Sequence, residues 1–189
     1  MRKLVYFVAS TLDGFIGAPD GSWDFFAVEP DLIAYLTTAY PETLPTAYRA
    51  GIGLETPNVR FDTVLMGRGT YEPALKAGIT SPYAHLKQYV FSRSLPAEPD
   101  SPVEIVSGDP IPFVRELKQG DGRDIWLCGG ADLAGQLLPE IDELVIKLNP
   151  VVAGTGIPLL SRAFHPHRFS LRESRPFDSG VVLLRYEKV

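Results

Sequence analysis

The chain has 189 residues, 45% of them hydrophobic and 22% charged, with a mean hydropathy of +0.03. This balance excludes a disordered or fibrous chain and supplies enough apolar side chains for the core of one domain spanning 1–189. A net charge of −5 and a pI near 5.2 count against general nucleic-acid binding, which needs a basic face. The single cysteine, Cys128, excludes an internal disulfide and any CxxC metal pattern, so no metal site is expected.

The N-terminal run Leu4–Ala9 is too short for a signal peptide, and Asp13 follows at once. No apolar segment approaches the roughly 20 residues of a membrane span. The expectation is a cytoplasmic protein. Residues 3–9 form a continuous β-prone run, as suits a strand buried on both faces. A turn and a second extended piece around Phe15-Ile16 come next, and Pro19-Asp20-Gly21-Ser22 signals another turn. Pro30-Asp31 opens a helix carrying Leu32, Ile33, Tyr35 and Leu36. From Tyr40 to Arg60, three prolines and two glycines predict an irregular segment, of the kind that serves as a lid or wall.

The most informative stretch is 61–71. An apolar strand (Val64, Leu65, Met66) runs into Gly67-Arg68-Gly69-Thr70, after which a short helix is expected at Tyr71–Gly78. Such a junction turns free backbone N–H groups toward the strand end, where the helix dipole favours an anion. Arg68 adds a fixed positive charge. Strands are then predicted at Lys87–Ser92 and Val103–Val106, and a helix from Asp109-Pro110 to Lys118, with Pro in its first turn. A second junction of the first kind follows: strand Ile125–Cys128, Gly129-Gly130, and a helix over Ala131–Leu138. Two anion-binding junctions in one small domain suit a long ligand with several phosphates. A strand at Glu143–Pro150, a turn at Gly154-Thr155-Gly156 and a hairpin around Asp178-Ser179-Gly180 complete the chain. Strands alternating with helices predict an α/β sheet, mostly parallel, with antiparallel C-terminal strands.

Three blocks in this order resemble the dihydrofolate reductase superfamily: Val-Ala-Ser-Thr-Leu-Asp-Gly-Phe-Ile-Gly at 8–17, Val-Leu-Met-Gly-Arg-Gly-Thr-Tyr-Glu at 64–72 and Ile-Trp-Leu-Cys-Gly-Gly-Ala-Asp-Leu at 125–133. With Ile141–Leu144 and Asn149–Leu159, they are most similar to the branch of the C-terminal reductase domain of bifunctional riboflavin-biosynthesis proteins. The resemblance implies a three-layer α/β/α fold, NADPH as cofactor, a pterin-like or riboflavin-precursor pyrimidine as the small substrate, and a homodimer. It implies phosphate contacts for Gly67, Arg68 and Thr70, and the adenosine 2′-phosphate for Ser92 and Arg93. Gly129, Gly130 and the amides of Ala131 to Leu133 match the turn under the pyrophosphate; Ala9 and Ile16 match backbone positions that hold the nicotinamide carboxamide. Many reductases of this superfamily carry a basic residue where Gly69 stands, so here the 2′-phosphate would rest on Arg68 and Arg93.

Two carboxylates are candidates for the acid. Asp13 reads either as a turn residue before Gly14 or as a group beside the nicotinamide. Asp31 reads either as a helix-initiating carboxylate or as the single acid that dihydrofolate reductases carry in this segment. Of the two, Asp13 is expected nearer the reacting carbon, because it lies three residues before Ile16. Trp23 and Asp24 fall in the same substrate wall, where Trp23 either stacks on a heterocycle or joins the core. Cys128 reads as an inert core thiol and the His165-Pro166-His167 pair as solvated. The rival to a reductase is a non-catalytic nucleotide-binding or sensor module on the same fold.

Overall fold

The computed structural model describes residues 1–26 and 28–189. Its strands are β1 (Leu4–Ser10), β2 (Phe15–Gly17), β3 (Phe61–Gly67), β4 (Lys87–Phe91), β5 (Val103–Val106), β6 (Asp124–Gly129), β7 (Glu143–Leu148), β8 (Ile157–Pro158), β9 (Phe169–Pro176) and β10 (Val182–Lys188). The helices are α1 (Pro30–Ala39), α2 (Thr46–Gly51), α3 (Arg68–Lys76), α4 (Pro110–Gln119) and α5 (Ala131–Leu137). Eight strands form one sheet in the order β5-β4-β3-β6-β1-β7-β10-β9, and β2 pairs with β8 in a small second sheet. Pairing is parallel from β5 to β7, while β10 and β9 are antiparallel.

β1 explains its own position. Leu4, Tyr6 and Val8 pack with Val114 of α4 and with Leu133, Ala134 and Leu137 of α5. Val5 and Phe7, at the alternate positions, pack with Leu32 and Leu36 of α1 and Tyr71 of α3. A strand with helices on both faces must be apolar at every position, which is why no alternation shows in its sequence. The result is a three-layer α/β/α sandwich with α1 and α3 on one face and α4 and α5 on the other.

The direction of travel reverses next to the centre. From β3 the chain passes through α3 to β4 and the β5 edge; from β6 it passes through α5 to β7 on the other side. β3 and β6 are neighbours in the sheet, so their following helices depart toward opposite faces. Such a switch point opens a crevice at the carboxyl ends of the strands.

The segment from Tyr40 to Arg60 differs from the irregular wall expected of it. It contains a 3-10 turn at Pro41–Thr43 as well as α2. Glu42, with no solvent exposure, accepts hydrogen bonds from the backbone N–H groups of Val59 (3.0 Å), Arg60 (2.8 Å) and Phe61 (2.7 Å). Arg49 donates to the carbonyls of Pro41 and Thr56 at 2.7 Å each. These bonds fix the segment against the start of β3, at the amino end of the sheet, away from the crevice. At the same end the buried carboxylate of Glu143 is held by Lys3 at 2.8 Å and Arg60 at 2.6 Å. Helix α3 also begins earlier than expected, at Arg68 directly after the glycine that ends β3. No helix among the described residues is long and apolar enough to cross a membrane.

Candidate functional site

The two glycine junctions meet at the switch point. Met66 is in register with Gly129, and a Cβ placed on Gly67 would stand 3.3 Å from the amide nitrogen of Gly130 and 3.5 Å from the carbonyl oxygen of Gly129. Gly129 has a φ of +135°, and its peptide bond to Gly130 is cis. Side chains at these positions would close the approach; glycines leave it open. Gly67 and Gly130 are the N-caps of α3 and α5, and neither helix start is capped by a side chain. The first-turn amides of both helices, Ala131 to Leu133 among them, therefore face one shared crevice without an acceptor from a capping side chain. Thr70 lies between the junctions, its Oγ1 3.4 Å from where a Cβ on Gly130 would be. The side chains of Ala131 and Leu133 are buried in the core, so any contact with a ligand is through their backbone.

The cations stand at the β4 side. Arg68 is exposed; its Nε donates to Glu72 at 2.6 Å and its Nη1 to the Ser94 hydroxyl at 2.8 Å. Ser92, buried at the end of β4, accepts from the amides of Ser94 (3.2 Å) and Leu95 (3.0 Å). Its hydroxyl thus shapes the loop that carries Arg93 and holds Ser94 against Arg68. Arg93 is exposed and makes no ion pair among the described residues.

On the other side of β6, Ala9 of β1 is in register with Lys147 of β7. Asn149 pins the two strand ends together: its amide N–H donates to the Ser10 carbonyl at 2.8 Å and its side chain to the Lys147 carbonyl at 2.8 Å. Ile16, in the middle of β2, is half-buried and packs on the α5 side of the sheet.

Asp13 lies in the β1–β2 turn with its carboxylate fully engaged. It accepts from the Thr11 hydroxyl at 2.6 Å and from the amides of Ala153 at 3.1 Å and Gly154 at 2.7 Å. The Thr11 hydroxyl and these two amides lower its pKa to about 2. Asp31 is the second residue of α1, after the N-cap Glu29. One of its oxygens accepts from the Leu32 amide at 2.7 Å, the other from the Ser179 amide at 3.0 Å. The Ser179 bond is the larger cause holding its carboxyl below the ordinary range. Both carboxylates are acceptors bound to backbone donors, and neither has a proton to give near neutral pH. Trp23, 58% exposed, and Asp24, also exposed, stand on the β2–α1 connection, so of the two readings for Trp23 the open surface position is the one found.

Sequence reasoning missed Lys147. It is half-buried, and its Nζ sits 4.8 Å from the Phe7 ring centroid on the α1 face. Burial lowers its pKa to about 8. The signal available was one lysine near the end of a strand whose other residues after Glu143 are apolar, two positions before Asn149-Pro150. Cys128, beside it, has its thiol pushed up to about 12 by burial, in keeping with an inert thiol. His165 and His167 pack ring against ring at 4.9 Å, with His165 exposed and His167 half-buried.

Fold and crevice together define a doubly wound α/β protein with a crevice where two uncapped helices leave neighbouring strands. The chain belongs to the RibD C-terminal domain family, whose profile matches residues 2–183. It is 33% identical over 187 residues to the uncharacterized protein YwjB of Bacillus subtilis, with 96% of each chain covered. Its fold is similar to that of a putative riboflavin biosynthesis protein from Shewanella sp. PV-4, with a TM-score of 0.70 and 24% identity over 100% of this chain and 99% of the other. It is also similar to the diaminohydroxyphosphoribosylaminopyrimidine deaminase/5-amino-6-(5-phosphoribosylamino)uracil reductase of Thermotoga maritima, with a TM-score of 0.66 and 17% identity, covering 57% of that longer chain.

Proposed function

We propose that the chain is an NADPH-dependent reductase acting on a small heterocycle, pterin-like or a pyrimidine of the riboflavin-precursor type. The observation that carries this reading is the meeting of Gly67 with Gly129 and Gly130 at the switch point, where a Cβ would stand 3.3 Å from the Gly130 amide. That opening fits a pyrophosphate lying against bare backbone. Gly67, Thr70, Gly129, Gly130 and the amides of Ala131 and Leu133 would hold the phosphates; Arg68, Ser92 and Arg93 the adenosine end; Ala9 and Ile16 the nicotinamide end. When bound, NADPH supplies a hydride, and the chain's task is to hold acceptor and cofactor in line and keep water out. Asp13 and Asp31 act as positioning residues: one fixes the β1–β2 turn to the 153–154 backbone, the other docks α1 on the C-terminal hairpin.

The test has two arms. NADPH and NADH are titrated by quenching of protein fluorescence, and NADPH oxidation is screened with dihydrofolate, dihydropterins and ribosylaminopyrimidines. Tight NADPH binding with turnover of one of these compounds supports the reading; no binding of either cofactor overturns it. Binding without turnover of any acceptor favours the sensor module.

The assembly proposed is a homodimer. On the α4–α5 face no helix among the described residues covers the antiparallel end of the sheet, where Leu144, Ile146, Leu148, Leu184 and Tyr186 line an open depression of about 370 Å³. The edge strand β9 carries Arg172, Glu173 and Arg175, which discourages edge pairing. A second copy would cover the apolar face by two-fold symmetry. Light scattering at micromolar concentration should give twice the chain mass, falling to one chain mass in Leu184→Asp; one chain mass for the unaltered protein defeats the assignment.

A further inference from the structure

At the nicotinamide side of the crevice, the two carboxylates are taken up by backbone amides, and one ionisable side chain is left over. Lys147 is in register with Ala9 on β1 and with Leu183 on β10, one residue before β7 ends. Its Nζ rests 4.8 Å from the Phe7 ring, a contact the ring face makes mildly attractive. Among the described residues no carboxylate pairs with it. Buried Lys118, by contrast, is bonded to Asp142 and the Glu140 carbonyl, and even exposed Lys3 is bonded to Glu143 and Glu187. Of the groups facing Lys147, β1 offers Phe7 and Ala9, β10 offers Leu183, and β6 offers the thiol of Cys128. That thiol is protonated, as is the hydroxyl of Tyr83 behind it, both pushed up by burial. From α1, Leu32 and Leu36 close the same apolar cluster, while Asp31 is turned to Ser179.

An ammonium drawn into apolar surroundings without a counter-charge weakens the fold. A role in shaping the core would be better served by Leu or Met. The position does make sense if a ligand brings the acceptor atoms. We propose that Lys147 is the binding group of the acceptor half of the crevice, and that it takes a small planar compound through a carbonyl or anionic oxygen directed at Nζ. This rests on the reductase reading, in which Ala9 marks the nicotinamide end. It names a substrate class: a conjugated carbonyl compound, neutral or anionic, in preference to a cationic imine. The low pKa, about 8, fits such a role, because the group is charged at neutral pH yet close to the range in which a proton is readily shared.

The test uses the unaltered protein and glyoxylate, a small anionic aldehyde, with cyanoborohydride at pH 7.5. An amine that glyoxylate reaches condenses with loss of water, and the imine is reduced to a stable carboxymethyl group mapped by peptide mass spectrometry. Among the six lysines of the chain, Lys147 should be modified at least tenfold faster than exposed Lys76. NADP⁺ should leave that modification within about twofold, because the acceptor half stays open in the cofactor complex, and a planar carbonyl compound added with it, dihydropterin or uracil, should slow it by fivefold or more. Modification of Lys76 with Lys147 untouched overturns the proposal, as does fast modification of Lys147 that neither dihydropterin nor uracil slows when fluorescence shows NADP⁺ to be bound. If NADP⁺ does not bind, the reductase reading fails instead. In that case, fast modification of Lys147 would still support an oxygen-binding cation, and none would overturn it.

Discussion

Asp31 accepts a 3.0 Å hydrogen bond from the backbone amide of Ser179, 148 positions further along the chain. The bond ties the first turn of α1 to the tip of the β9–β10 hairpin, next to the end of β7, where Val182 pairs with Leu148. The helix that roofs Phe7 and the apolar cluster beside Lys147 is thereby held from its start. Asp31→Ala should therefore lower the thermal midpoint and speed hydrogen exchange at the Ser179 amide by tenfold or more, with exchange at the Glu42-bound amides of Val59 to Phe61 unchanged. Unaltered exchange at Ser179 would show that the hairpin stands without this tether.

Asp13 gives a pH dependence of definite sign. Its folded-state pKa is about 2, below the roughly 3.9 of an unfolded aspartate. In the window between these values the unfolded chain binds more protons, so stability rises with pH there. The contribution is complete above about pH 4 and lost as pH falls through 2. Asp13→Asn should be less stable than the unaltered protein at pH 6, and the gap should narrow toward pH 2. A carboxyl titration by NMR with a midpoint near 3.9 would contradict the clasp to Thr11, Ala153 and Gly154.

The glycine junctions separate fold from binding. A Cβ on Gly130 meets only the Thr70 hydroxyl at 3.4 Å, whereas one on Gly67 meets backbone atoms at 3.3 Å and 3.5 Å. Gly130→Ala should keep its thermal midpoint within a few degrees yet lose NADPH affinity by tenfold or more, because the methyl occupies the approach to the backbone. Gly67→Ala should lose both, since β3 and β6 would have to move apart. Equal loss of stability in the two variants would mean that Gly130 serves only the turn.

Much of this arrangement was legible in the sequence because its signals are local. The doubly buried β1, the Asp109-Pro110 helix start, where Asp109 caps the Ile111 amide at 2.9 Å, and both glycine junctions are written in adjacent residues. The segment from Tyr40 to Arg60 was not legible. Its order comes from Glu42 and Arg49 reaching backbone groups of residues up to 19 positions away, and composition does not report such bonds. Its prolines suggested a lid or wall, while its anchor at the start of β3 sets it at the amino end of the sheet, opposite the crevice. Lys147 was hidden for another reason. Whether a lone strand lysine points to solvent or into a crevice depends on which neighbours flank the strand, and β7 lies between β1 and β10, far apart in sequence. The placement of β6 between β3 and β1, which creates the switch point, is likewise a fact of topology. The glycines mark the two halves of the site, but only the sheet order makes them one.

On the reductase reading, cofactor preference would turn on the difference between Arg68 and Arg93. Arg68 is already committed in part, its Nε on Glu72 and its Nη1 on Ser94. The Glu72 carboxylate offsets some of its charge, although an exposed pair of this kind is weak. Arg93 stands on the next loop with its full charge unshared among the described residues, positioned by the turn that Ser92 closes. A phosphate on the adenosine 2′-oxygen would gain most from Arg93, with a charge-assisted contact worth about 1.5–3 kcal/mol. Arg93→Ala should then weaken NADPH binding by roughly 10- to 100-fold and leave NADH binding nearly unchanged. Glu72→Gln should act in the opposite sense, strengthening NADPH binding by a few-fold, because it releases Arg68 from its internal partner. Fluorescence titration of both cofactors against both variants reads these effects directly. A parallel fall in NADH affinity with Arg93→Ala would place that guanidinium on a group the two cofactors share, and the discrimination would then have to come from elsewhere in the crevice.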